Sequence, residues 1–168
     1  MPARRAPLRS SEGGNGHYRL GLLATDASFC HAIRSSRQAW INEFRDACAN
    51  YVAAVLQISD LRTQRAEWLA EKRVHMTPLA AFQFFEKENP QWAGYSSVAV
   101  HQARMIRAKL ELMLNPDEQE TMDLLTSLDE AYVGAATDVD DLSELCDAVV
   151  TRAQKIIKAE WRMTKLGK

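Results

Sequence analysis

From Asp26 to Met76 the chain contains neither glycine nor proline. A run of that length without a breaker, with apolar residues at every third or fourth position, is the pattern of one long amphipathic helix. The stripe is Trp40, Phe44, Ala47, Tyr51, Ala54, Ile58 and Leu61, widened by Ile41, Cys48, Val52 and Val55. A helix over 35–73 is therefore expected, about 58 Å long at 1.5 Å per residue. Whatever else the chain forms must lie along it.

The remaining punctuation divides the chain into further helices. Thr77-Pro78 supplies an N-cap and an N1 proline, opening a short helix that carries Phe82, Phe84 and Phe85. Asn89-Pro90 is expected to end that helix, because proline disfavours helix in the residue before it. Residues 91–95, with Trp92 and Gly94, then read as a loop. Ser96 or Ser97 caps a helix over 97–114. Asn115-Pro116-Asp117-Glu118 restarts a helix over 116–133, closed by Gly134. The last helix is expected over 138–164, with Leu142, Leu145, Val149, Ile156 and Trp161 on one face. No stretch sustains a period of two. The expectation is an all-α, four-helix bundle-like fold with a long first helix and a short inserted helix. Residues 1–25, with the linker-like run Ser10 to Gly16, are expected as a flexible or partner-held arm, and 26–168 as a single helical domain.

Composition narrows the class of function. The 168 residues are 46% hydrophobic, and 21 Lys+Arg against 22 Asp+Glu leave a charge of −1, so one ordinary domain is expected. No stretch approaches the roughly 18–20 apolar residues of a membrane span. Three cysteines, Cys30, Cys48 and Cys146, without CxxC spacing suit free thiols in a reducing compartment, and the expected location is cytoplasmic. Charge is unevenly spread: eleven acids and no Lys or Arg lie between Asn115 and Thr151, and six bases with one acid follow to Lys168. Helix dipoles account for Asp117, Glu118 and Lys165. They do not account for a whole acidic helix, which points to a protein partner or self-association.

Three segments occur in the order and spacing of a known pattern: Arg37-Gln38-Ala39-Trp40-Ile41-Asn42-Glu43-Phe44-Arg45, then Lys109 to Glu118 with Leu114-Asn115-Pro116, then Gln154 to Arg162 with Glu160-Trp161. Together they resemble an uncharacterised family of small helical bacterial proteins with RQxWIxxLR, LxLNPxE and QxILKxEWxRxK motifs. Relatives often carry N-terminal membrane helices before the first motif. Here the corresponding stretch, Leu20 to Ala24, is only five residues long, so the chain departs from those relatives and is expected to lack a membrane span. It implies no reaction, and therefore no catalytic, cofactor or metal residue.

The candidate interaction residues are Arg37, Trp40, Arg45, Trp68 and Trp161. An antiparallel first and last helix would bring Trp40 near Trp161 and let Glu160 answer Arg37 or Arg45. Ile58, Leu61, Trp68 and Leu69 are expected on the part of the first helix that outruns its neighbours, where an apolar stripe marks a contact surface unless the phenylalanine helix folds back over it. The function expected is that of a non-enzymatic interaction or assembly protein. Two alternatives have residues of their own. Glu120/Asp123 and Glu144/Asp147 are paired i, i+3 carboxylates of the kind that hold Mg²⁺ in all-α nucleotide pyrophosphohydrolases, although no base stands nearby for the phosphates. Basic residues at both ends (Arg4, Arg5, Arg9; Arg152, Lys155, Lys158, Arg162) and a helix-turn-helix drawn over 78–107 suggest a nucleic-acid-associated accessory protein, against which the acidic helix weighs.

Overall fold

The computed structural model describes residues 16–137 and 141–166, with side chains for Ser28 and from His31 to Lys165 outside the gap. It is all-α: α1 (Gly16–Arg73), α2 (Pro78–Met113), α3 (Gln119–Thr137) and α4 (Leu142–Leu166), with no strand among the described residues. α1 packs against the other three helices, α3 and α4 form a hairpin, and α2 and α4 take separate flanks without meeting.

The stripe read from the sequence is the core of α1. Ile41, Phe44, Tyr51, Ala54 and Val55 are all buried to 1% exposure or less. Against them α2 sets Ala99, Ala103 and Leu110, α3 sets Leu124, Leu128 and Ala131, and α4 sets Val149 and Ala153. Ala99, Ala103 and Ala131 let the backbones approach closely, and the larger side chains fill between them. Polar ties fix the register. The Tyr51 hydroxyl donates to the Leu128 carbonyl at 2.6 Å. Arg107 grips both carboxylate oxygens of Asp129, at 2.6 and 3.0 Å, and also Glu111 at 2.7 Å. Those hydrogen bonds hold its guanidinium above its ordinary pKa. Lys109 meets Glu43 at 3.0 Å.

Several helix boundaries differ from expectation. α1 already begins at Gly16, inside the segment expected as an arm; residues 1–15 lie outside the described residues. α3 begins at Gln119, because Asn115 forms a local turn in which its side chain accepts from the Asp117 amide and donates to Glu118. Gly134 does not close α3: it is buried inside it, where an added Cβ would lie 2.7 Å from Leu145 Cδ1, so it serves the approach of α3 to α4.

The largest difference is that the short inserted helix and the loop after it do not exist as separate elements. α2 runs unbroken through Pro90. Proline in a helix interior costs about 3 kcal/mol, through a lost amide donor and a clash with the preceding turn. Contacts with α1 on both sides of Pro90 offset that cost. Trp68 stacks on Phe84 before it and lies 5.9 Å from the Trp92 ring after it, while Arg65 donates to Asn89 at 2.5 Å. Gly94 therefore sits in a helix, and a Cβ added there meets nothing within 4 Å. Gly94→Ala is expected to raise stability by about 0.5–1 kcal/mol, read from the urea midpoint. A loop at 91–95 would give no gain.

Candidate functional site

α3 follows α1 with Leu128 beside Tyr51, so its last residue, Thr137, comes level with about Asp60 at the common rise per residue. Beyond that point, among the described residues, α1 and α2 continue with only each other. They form a two-helix arm, closed at Thr77, where the threonine hydroxyl accepts from the Ala80 amide. About a dozen residues of α1 lie in it, some 18 Å of helix.

The arm is built from aromatic rings. Trp68 and Phe84 have centroids 5.1 Å apart, Phe84 meets Phe85 edge-on at 5.9 Å, and Trp92 meets Tyr95 at 6.3 Å. Arg73 lies 5.5 Å over the Phe85 ring. The phenylalanine segment thus folds back over Trp68, while Ile58, expected on the projecting stripe, is buried in the bundle core and Leu61 packs half-buried against it. The cover is partial. Phe82 and Leu79 point outward, 64% and 69% exposed, and a groove of about 380 Å³ opens between the two helices, walled by Arg65 and Arg73 on α1 and by Glu86 and Glu88 on α2.

Trp68 is therefore apart from the other four candidate residues, which sit where α1 passes the end of α4. Trp40 is half-buried and stacks on Phe44 at 5.1 Å with a 7° interplanar angle. No ring contact joins it to Trp161 among the described residues: the neighbour one turn away on the same helix takes the place expected for the distant one. Trp161, also half-buried, packs on the core and lines a second groove with Arg45, of about 430 Å³, between α1 and α4. The ion pair expected from Glu160 is not formed, and Arg37 Nη1 is buried without a hydrogen-bond partner.

The alternatives lose their geometry. Arg152 reaches the Asp123 carbonyl at 2.5 Å and the Ser127 hydroxyl, while Leu145 abuts Gly134. In that register Glu144 and Asp147 lie further along the hairpin than Glu120 and Asp123, and all four are exposed. The two carboxylate pairs do not converge, and no group of three or more His, Cys, Asp or Glu that could hold a metal occurs among the described residues. The helix-turn-helix has no turn, since 78–107 lies within α2. Among the described residues no helix is long and apolar enough to cross a membrane. Cys48 and Cys146 are buried and unbridged; the side chain of Cys30 is outside the described residues.

Sequence reasoning missed the groove residues Arg65, Arg73, Phe85 and Trp92. Their signal was present: Arg65, Leu69 and Arg73 recur every fourth residue, and Phe85 and Trp92 are seven apart, once α2 is allowed to run through Pro90. A further exposed stripe, Val98, Met105 and Leu112, repeats every seven residues elsewhere on α2, beside a shallow groove with Asn50, His101 and Gln102. Comparison with known protein families, with curated proteins and with solved structures finds no match for this chain.

Proposed function

We propose that this chain is a non-enzymatic helical interaction protein that holds a protein partner on the uncovered face of the α1–α2 arm. The observation that carries the reading is a pair of packed helices outrunning the hairpin that covers them. Leu69 lies eighteen residues after Tyr51, and Asn89 eighteen before Arg107. Eighteen residues are five full turns. Tyr51 and Arg107 are the residues by which α1 and α2 bind α3, so the groove continues the face that α3 occupies lower down. Its natural occupant is helical. Exposed Phe82 beside Trp68, Trp92 and two arginines, with exposed Leu79 three residues before it on α2, gives the composition of an interface centre. Cations on one wall and acids on the other set the orientation of an incoming helix. The acidic wall disfavours nucleic acid. The setting proposed is the cytoplasm, which the two unbridged thiols suit.

Native mass spectrometry of the chain recovered from its own cells tests this. The wild type is expected in an assembly heavier than its own 18.9 kDa, and Leu79→Asp/Phe82→Asp alone at that mass with unchanged helical circular dichroism. Wild type running alone contradicts the proposal. Repeating the measurement on the purified chain separates a second copy, which doubles the mass, from a different protein.

A further inference from the structure

We propose that the groove between α1 and α4 binds a small amphipathic carboxylate, its anionic head between Arg45 and Lys158 and its apolar tail along Cys48 and Ala153. The site is distinct from the arm and independent of the function proposed for it. The two helices run antiparallel here, and both bring a small residue to the groove, Ala49 from α1 and Ala153 from α4. Where small residues line a helix pair, the backbones must close together or leave a trough. These leave about 430 Å³, within the range of sites that enclose a small organic molecule. Cys48, Ala153 and Ile157 form a floor that is at most 8% exposed, and Trp161 stands at one end.

Charge specifies the head group. Among the described residues Arg45 and Lys158 are the only charged ones lining the groove, both are cationic, and both are exposed at its rim. Neither has an ion-pair partner among the described residues, whereas Lys109 and Arg107 are each matched to an acid. From Lys158 back to Val150 the α4 wall runs about 12 Å at 1.5 Å per residue, and Ile157, Ala153 and Val150 along it are apolar. A medium-chain carboxylate matches that length, with its head held by two cations and its tail against Cys48 and Ala153. The Cys48 thiol on the floor is neutral, because burial pushes its pKa up to about 12, and so adds no charge against the head.

The test is displacement of the fluorescent probe 8-anilinonaphthalene-1-sulfonate from the purified full-length chain. Dodecanoate is expected to displace it, dodecylammonium is not, and uncharged dodecanol is expected to do so more weakly. Arg45→Glu/Lys158→Glu, which changes only exposed rim residues, is expected to weaken dodecanoate about tenfold or more and to admit dodecylammonium. Ala49→Phe, which fills the trough from its exposed side, is expected to abolish probe binding while circular dichroism stays unchanged. The proposal is overturned if dodecanoate does not displace the probe from the wild type. It is equally overturned if both variants bind dodecanoate as the wild type does, or if dodecylammonium binds the wild type as well as dodecanoate.

Discussion

Phe44→Ala is expected to cost about 3–5 kcal/mol, the range for removing a fully buried aromatic ring. Phe44 has no exposed surface and lies at the crossing of α1 with the rest of the core, and its ring also supports Trp40 at 5.1 Å. Removing it opens a cavity that α1, tied at Tyr51 to α3 and at Glu43 to α2, is poorly placed to collapse. A domain of this size is stable by about 5–15 kcal/mol, so the variant loses a large share of its stability, read as a fall in the urea midpoint at unchanged slope. Trp40→Ala, which removes a half-buried ring whose far side faces solvent, is expected to cost less, about 1–2 kcal/mol. Equal losses would mean that Trp40 anchors this crossing as much as Phe44 does.

Stability is also expected to fall steeply in alkali. Burial raises the Cys48 thiol from 9.0 to about 12. Above pH 9 the unfolded chain loses this proton while the folded chain keeps it, so each further pH unit favours unfolding by up to about 1.4 kcal/mol until the folded thiol itself titrates. The contribution is whole below pH 9 and is lost between 9 and 12. Burial also raises Tyr51, whose hydroxyl is hydrogen-bonded to Leu128, and Cys146, so both add to the same trend. Urea midpoints measured from pH 8 upward should drop along this course. Cys48→Ala should show a shallower decline, and an identical decline would contradict the assignment of the loss to Cys48.

Periodicity located the core because burial on a long helix is a local property: the side chains of Ile41, Phe44, Tyr51 and Val55 share one face whatever packs on it. The breaks at Thr77-Pro78 and Leu114-Asn115 were equally local, since each is set by a capping side chain or a proline beside it. Pro90 was misread because its penalty is local while the contacts that offset it, from Trp68 and Arg65, come from another helix. The same limit explains the tryptophans. Trp40 has a ring one turn away on its own helix, and that neighbour needs no folding to arrive. The arm follows from the excess length of α1, which the sequence displays, but the outward turn of Phe82 beside the inward turn of Phe84 depends on the register of α2. The α1–α4 groove has no sequence signature at all. It is lined by small residues far apart in the chain, Ala49 on α1 and Ala153 on α4.

The arm's uncovered face is the proposed working surface, and photocrosslinking in the cells that make the protein tests that most directly. A photoreactive phenylalanine analogue at position 82 should yield a covalent adduct heavier than the chain, and the same residue at Leu112, 89% exposed on the rival stripe of α2, should yield none. Adducts at 112 and not at 82, or none at either position, would contradict it.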